Sequence, residues 1–351
     1  LVPETAGAGN APNSDESSAV QADTNRRRNY SLRDKKSVQL TKGQRRKINE
    51  QAKEILERLD SGGEKELGTA GLDVLRQYTG EGGLSSGTRE SLNQHFTDYD
   101  TIRAIYKALD KANIPYKKAL EPSVGAGSFV GNRPELNWTT VDIDPTNHKV
   151  VNALYPEGTH YLTSFEDFKA DGFDLIVSNV PFSEERGAGR NRNRPDIKAL
   201  HDFYFAHALD LVKDNGVVAF ITSSGTMDKV SPKIRSEITD KADIIGAYRL
   251  PQGHFSKTAH TDVTTDIIFM QKRPEGAEPS KAQRATNAAF TSRSSMPGFE
   301  EYDLKINRYY KMNPDHILGK LSVGKNKMYG GKEAFVVSGE ADLDKITVNY
   351  A

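Results

Sequence analysis

Three short segments hold residues whose types and spacing suit chemistry on a nucleoside or a flat amine. The first, Ala119-Leu120-Glu121-Pro122-Ser123-Val124-Gly125-Ala126-Gly127-Ser128-Phe129, passes from an apolar run into a Gly-x-Gly turn. Glycines there remove the Cβ that would hold a ligand away from the backbone. With Gly131 the spacing is one residue off a dinucleotide fingerprint, and a tight structural turn explains the segment alone equally well. About 20 residues on, Thr140-Val141-Asp142-Ile143-Asp144-Pro145 puts Asp142 at a strand end, where a carboxylate accepts both hydroxyls of a ribose. The pair implies a nucleoside-containing cofactor and leaves open a nicotinamide or S-adenosylmethionine. The third segment decides between them: Phe173 to Val177 delivers Ser178-Asn179-Val180-Pro181-Phe182 beside the same cleft. The Asn179 oxygen and the Val180 carbonyl can each accept an N–H, Pro181 sets a tight bend, and Phe182 can stack on a base. An ordinary strand-to-loop bend accounts for the tetrapeptide alone, but poorly for its position after the other two segments. Beyond it, Arg186, Arg190, Arg192 and Arg194 lie on a glycine-containing loop, where cations suit phosphate contacts and a solvated loop is the plainer alternative.

The elements that must position these residues follow from hydrophobic period. Residues 1 to about 40 lack apolar periodicity and read as a disordered leader, with Arg26, Arg27 and Arg28 as solvated charges. From 41, Ile48, Ala52, Ile55, Leu56 and Leu59 recur three and four apart, which predicts a packing helix ending at Ser61-Gly62-Gly63. A second helix carries Ile102, Ile105, Tyr106 and Leu109. Strand-like runs then fall at 118–121, 139–143, 173–178, 217–222, 244–249 and 267–271. Strands alternating with helices over about 170 residues predict a parallel, doubly wound α/β sheet. Residues 273–291 read as a linker or long surface loop. The expected organisation is a leader to 40, a helical segment at 41–94, a catalytic domain at 95–275 and a C-terminal extension at 276–351.

Composition excludes several alternatives. The 351 residues hold 48 Lys and Arg against 48 Asp and Glu, so nucleic-acid binding would need a local basic patch. There is no Cys, which removes disulfides, thiolate metal sites and thiolate nucleophiles, and with them ring-carbon methylation of cytosine. The histidines show no metal-ligand spacing, so no metal is expected. No apolar run approaches the roughly 18 residues that span a bilayer, and no membrane contact is expected. The first residues, Leu-Val-Pro, read as those of a processed or excised piece.

On these residues the chain resembles the amino-methylating S-adenosylmethionine-dependent methyltransferases, whose cofactor loop and Asn/Asp-Pro-Pro-Tyr/Phe motif the segments match. The motif order is that of a DNA adenine-N6 enzyme. His95-Phe96-Thr97 is similar to the family's upstream cofactor-contact motif, and Ser164-Phe165-Glu166-Asp167 to its adenine-contact segment. A closer similarity is to the methylase part of phage and mobile-element methylase-helicase proteins, including antirestriction proteins packaged in phage heads. It rests on Tyr78 to Leu84, Tyr248 to Phe255, Thr261 to Ile268, and Ile306 to Tyr310 with Asn313-Pro314 and Leu318-Gly319. The resemblance implies a Rossmann-like class I fold with a mixed seven-stranded sheet, and S-adenosylmethionine held by Phe96, Thr97, Glu121, Pro122, Ser123, Gly125, Gly127, Phe129, Asp142, Phe165 and Glu166. It implies DNA with a flipped adenine as substrate, and phage-head proteins, antirestriction proteins or a helicase region as further partners. The setting implied is the host bacterial cytoplasm or a virion. Glu81 and Val180 stand where the family usually has Trp and Pro, and Val180→Pro is expected to keep or improve activity by restoring a locked φ. The alternatives are a catalytically silent scaffold that protects DNA, and methylation of a protein glutamine.

Overall fold

The computed structural model describes residues 28–62, 67–80, 97–181, 194–255, 264–326 and 332–350. Seven strands form the central sheet: β1 (Lys118–Glu121), β2 (Asn137–Asp142), β3 (Thr159–Leu162), β4 (Phe173–Asn179), β5 (Val212–Ser223), β6 (Ala242–Arg249) and β7 (Thr265–Lys272). Their order is β3-β2-β1-β4-β5-β7-β6. The first five pair in parallel, and β7 runs antiparallel between β5 and β6. This is the class I methyltransferase sheet, mixed as the resemblance implies; the wholly parallel sheet expected from the alternation is corrected by β7, which starts beside the end of β6, with Asp266 opposite Arg249, and so inserts antiparallel. The chain moves outward from β1 through β2 to β3, then restarts on the other side with β4. Helix crossovers therefore diverge at the carboxyl ends of β1 and β4 and leave a crevice there.

Alternation along the strands builds a core on each face. Leu175, Val177, Val217 and Ala219 face one core with Ile102, Ile105 and Leu109. Leu120, Ile176, Val218 and Phe220 face the other with Phe203, Phe205 and Leu209. The flanking helices are α1 (Lys42–Asp60), α2 (Thr69–Leu75), α3 (Tyr99–Lys111), α4 (Ser128–Asn132), α5 (Pro145–Leu154), α6 (Leu200–Leu211), α7 (Gly225–Asp228), α8 (Lys233–Lys241), α9 (Lys281–Thr291) and α10 (Arg308–Met312). The expected face of α1 forms, with Ala52, Ile55 and Leu56 buried and a Thr41/Gln44 capping box at its start. Among the described residues, no helix is long and apolar enough to cross a membrane.

Three expectations need correction. Residues 28–40 are packed rather than disordered: Leu32 is buried, its amide donates to the Gly131 carbonyl at 2.7 Å, and Arg103 donates to the carbonyls of Leu32 and Lys35. Leu32 and Tyr30, backbone bonds and isolated side-chain contacts such as Asn29 on the Pro134 carbonyl and Ser37 on the Tyr99 amide hold the segment, so no periodicity announces it. Within 273–291 lies α9, capped by Ser280 and anchored by Asn287, whose oxygen accepts from the Ile244 amide at 3.1 Å. Strand β3 adds a seventh strand to the six expected, because an edge strand reading Thr-His-Tyr-Leu has no buried alternation. The C-terminal residues also return to the sheet, where Ile346 and Val348 are buried and Asn349 donates to the Ile245 carbonyl.

Three of the segments singled out in the sequence meet in one buried ionic cluster. Arg249, at the end of β6, has no exposed surface and binds Asp266 through two bonds of 2.8 and 2.9 Å and Asp228 at 2.6 Å. Its guanidinium lies over the Tyr310 ring, and the Tyr310 hydroxyl donates to Asp266 at 2.8 Å. Asp228 in turn accepts from the Asn307 amide at 2.8 Å. The cluster fastens the segment around α10 to the carboxyl edge of the sheet. Removing the cation would leave two carboxylates together, one of them fully buried. Arg249→Ala is expected to destabilise the fold by about 3–5 kcal/mol, measured from the urea midpoint; a loss below about 1 kcal/mol would mean the cluster behaves as a surface pair.

Candidate active site

The crevice is lined first by the turn between β1 and α4. Gly125 and Gly127 have φ of 53° and 75°, in the left-handed region. At Gly127 the need for glycine is double, since a Cβ would also sit 2.3 Å from a Tyr155 ring carbon. The Val124 amide donates to the Val141 carbonyl and the Gly127 amide to Val124, which ties the turn to the end of β2. Gly131 has a packing role, as its Cβ would fall 2.5 Å from both Leu32 and the Tyr155 hydroxyl.

Two carboxylates stand beside this turn, Glu121 ending β1 and Asp142 ending β2, both buried. Asp142 accepts from the amides of Gly125 and Asp144, each at 2.9 Å, and from the Asn147 side chain at 3.3 Å. Burial pushes its carboxyl up to about 6 even against those donors. Burial, and then the charge of Asp142, push Glu121 well above the usual range. Its Oε2 has no partner among the described residues. Ile143, next to Asp142, is 47% exposed, a large apolar side chain left at the crevice.

These features fit S-adenosylmethionine. An orphaned, buried carboxylate oxygen beside a glycine turn suits a ligand whose methionine end carries an ammonium and a sulfonium. The pyrophosphate of a nicotinamide dinucleotide would instead meet two acids. A carboxylate has about four acceptor positions, of which Asp142 already fills three, so a ribose hydroxyl has one position open there or displaces the long Asn147 bond. Ile143 can cover a purine face.

Across the switch point, Asn179 ends β4. Its Nδ2 donates to Thr97 Oγ1 at 3.0 Å, which leaves Oδ1 buried and without a partner among the described residues. An uncompensated buried acceptor is costly, and this one stands at the carboxyl end of β4, at the switch point. Thr97 precedes Asp98, the N-cap of α3. Thr101 Oγ1 donates to Asp98 at 2.6 Å and lies 2.8 Å from His254 Nε2, so the Leu250 to Phe255 segment buttresses the start of α3. The Val180 side chain is buried, and its amide donates to the Ile221 carbonyl at 3.0 Å. Proline could not make that bond, which corrects the expectation for Val180→Pro: the locked φ would come at the loss of a ladder hydrogen bond.

The remaining residues divide clearly. Pro122 is buried, Ser123 half-buried on the turn, and Pro181 half-buried after Val180. Phe129 is core, edge-on to Tyr106 at 6.3 Å, and Phe165 is core against Phe203, Tyr204 and His207. Both side chains are packed among their neighbours, Phe165 in one cluster with Leu120, Val141 and Val180. Glu166 is buried beside Phe165. Arg194 is committed to the protein, binding Glu237 at 2.7 and 2.8 Å and Asp196 through two 3.0 Å bonds, which corrects its assignment to phosphate. Phe96, Phe182, Arg186, Arg190 and Arg192 lie outside the described residues. Sequence reasoning missed Ile143, Asn147 and Tyr155; an apolar residue between two acids at a strand end was a usable signal for the first alone.

Fold and site together define a class I S-adenosylmethionine-dependent methyltransferase. The N-6 DNA methylase family profile matches residues 135–315, slightly more than half of the chain, and the chain belongs to that family. Over 238 residues it is 27% identical to the Defense against restriction protein B of Escherichia phage P1. That match takes in 66% of this chain and spans about a tenth of the phage protein's length, 10%. Among solved structures, a putative class I S-adenosylmethionine-dependent methyltransferase of Listeria monocytogenes is similar at a TM-score of 0.46 and 15% identity, covering 66% of this chain and 71% of that one. A modification subunit of a putative type I restriction enzyme from Vibrio vulnificus is similar at 0.45 and 16%, covering 60% and 58%.

The carboxylate pair carries a pH prediction. An acid whose folded value is raised keeps its proton in the folded state, so ligand-free stability falls as pH rises from the unfolded value near 4.3 toward the folded one. Glu121→Gln removes that contribution. Its melting temperature is expected to match the wild type near pH 4.5 and to exceed it by roughly 2–4 °C at pH 8; a gap independent of pH would show that Glu121 does not titrate as described.

Proposed function

We propose that the chain transfers a methyl group from S-adenosylmethionine to the N6 amino group of adenine in DNA. The observation that carries this reading is the Asn179 amide: Thr97 holds its nitrogen, and its oxygen, buried and without a partner among the described residues, sits at the carboxyl end of β4, the strand next to β1 and its glycine turn. S-adenosylmethionine supplies the activated methyl, a sulfonium carbon that needs no further acid or metal. The chain's own task is to hold the amine. Asn179 Oδ1 and the Val180 carbonyl would accept the two amino hydrogens of an extruded adenine and aim its nitrogen at the methyl carbon; as the N–C bond forms the sulfur–methyl bond breaks, the neutral thioether is the leaving group, and the surplus proton on nitrogen passes to water. Phe182 is placed by its sequence position to stack on the base. Glu121, Asp142 and the Gly125 to Gly127 turn bind the cofactor. Similarity to a phage protein named for defense against restriction supports modification of phage or mobile-element DNA as the biological role. On this reading its partners are other head or antirestriction proteins or a helicase region, in a bacterial cytoplasm or a virion.

The test is transfer of labelled methyl to long unmethylated DNA. Asn179→Ala is expected to lower the rate about 100-fold or more while calorimetry shows cofactor affinity nearly unchanged, because the side chain serves the substrate. Equal losses in both would place Asn179 in the cofactor site. A wild-type chain that binds cofactor and never methylates DNA would be the silent scaffold.

A further inference from the structure

Of the segments singled out in the sequence, Tyr248 to Phe255 is only half explained by the ionic cluster around Arg249. The residues after Arg249 belong to the opposite core, where Leu250 and Phe255 are buried with Ile102 and Ile105 of α3. Backbone bonds hold the segment at two points. The Leu250 amide donates to the Thr265 carbonyl at 2.8 Å, and the Gln252 amide to the Val337 carbonyl at 2.6 Å, in an antiparallel hairpin of Lys320–Asn326 and Lys332–Ser338. Gly253, at a φ of 73°, then turns the chain so that the His254 amide donates to the Pro251 carbonyl at 3.0 Å. The His254 ring stands edge-on to Phe255 at 4.9 Å and reaches the first turn of α3.

The bonds there fix which atom carries which proton. Asp98, the N-cap of α3, accepts from the Thr101 amide at 2.9 Å and from the Thr101 hydroxyl at 2.6 Å. A carboxylate only accepts, so the single hydroxyl proton of Thr101 is committed to Asp98. Thr101 Oγ1 is therefore the acceptor toward His254 Nε2 at 2.8 Å, and Nε2 carries a proton. The same Nε2 lies 3.5 Å from Asp98 Oδ2, and among the described residues His254 is the one cation-forming side chain paired with this acid. Burial pushes the Asp98 carboxyl up, but bonds from His254 and Thr101 outweigh it and hold the acid below its usual value. From the other side, Ser37 accepts the Tyr99 amide at 2.7 Å. The residue before Asp98 is Thr97, whose hydroxyl takes the Asn179 Nδ2 at 3.0 Å.

We infer that His254 is a positioning residue for the Asn179 amide: it fixes Asp98 and the first turn of α3, and through them the Thr97 hydroxyl against which Asn179 is set. The consequence for rate rests on the proposed methyl transfer, whereas the coupling itself rests on the bonds alone. An amide that must hold an amine in line with a methyl carbon is sensitive to small displacements, since a shift of about 1 Å costs up to about 100-fold in rate. Asn179 ends a strand, and its own side chain has a single partner among the described residues, so the placement of that partner decides where the amide points.

The test is a mutant cycle on methyl transfer to unmethylated DNA in the full chain, with rates taken per folded molecule. His254→Leu is expected to lower kcat roughly 10- to 100-fold. His254→Gln, whose amide places a donor near Nε2, is expected to restore most of the rate. In an Asn179→Ala background His254→Leu is expected to cost little more, because groups that act as a unit lose their effects together. The same factor lost in both backgrounds, or a full rate in His254→Leu, overturns the inference. Thr101→Val removes the bridging hydroxyl at nearly constant shape and covers the case in which His254→Leu does not fold: it is expected to slow transfer in the same way, and a full rate there also overturns the inference. A second readout needs no transfer. In NMR spectra of isotope-labelled protein, the Asn179 side-chain NH2 signal, identified by its absence from Asn179→Ala, is expected to move in His254→Leu and to return in His254→Gln. A signal that stays in place overturns the inference whatever the reaction. Wild type that binds S-adenosylmethionine and transfers nothing to DNA, while the signal moves as described, overturns the proposed function and upholds the coupling.

Discussion

Everything in the site depends on one topological constraint, the reversal of strand progression between β1 and β4. Because β2 and β3 lie on one side of β1 and β4 and β5 on the other, no helix can cover the carboxyl ends at the junction. Those ends supply the chemistry directly: Glu121 closes β1, Asp142 closes β2 and Asn179 closes β4. Each is buried or half-buried by neighbours, and Glu121 and Asn179 each keep an oxygen without a partner among the described residues. The sheet thus sets the distances, and the loops have only to leave the opening clear.

Burial at that opening is also where stability is sacrificed. Glu121 Oε2 and Asn179 Oδ1 are acceptors without donors among the described residues, and Asp142 is an acid pushed up to about 6 by burial. The compensation lies elsewhere along the same edge, in the Arg249, Asp228, Asp266 and Tyr310 cluster, where two carboxylates and a ring surround a buried cation. A cationic cofactor on one side and an amine on the other would complete the unsatisfied half. The apo protein is accordingly built to gain from binding rather than to be most stable alone.

Much of this is legible in the sequence. Buried strands announce themselves as apolar runs, so six of the seven sheet strands can be read there, as can the packing face of α1. What escapes has no such signature: β3 is an exposed edge strand, residues 28–40 dock by Leu32, Tyr30 and scattered polar bonds without a period, and α9 hides behind prolines and small residues. Site residues divide in the same way. Strand-end Asn179 and Asp142 are placed by period and spacing, whereas the packing of Phe129 against Tyr106 and of Phe165 against Phe203 and Tyr204 is not legible, because a motif fixes a residue's position along the chain, not the direction of its side chain. Long-range partners such as Thr97 for Asn179 or His254 for Thr101 join positions 82 and 153 apart and have no local pattern at all.

The central claim is that the amide at the end of β4 presents its oxygen to an adenine amino group. It is tested most directly by incubating the chain with unmethylated DNA and S-adenosylmethionine bearing a deuterated methyl, then digesting the DNA to nucleosides for mass spectrometry. The account predicts deuterated methyl on N6 of deoxyadenosine and on no other nucleoside. Label on cytosine, label on protein alone, or no transfer by a chain shown to bind the cofactor would contradict it.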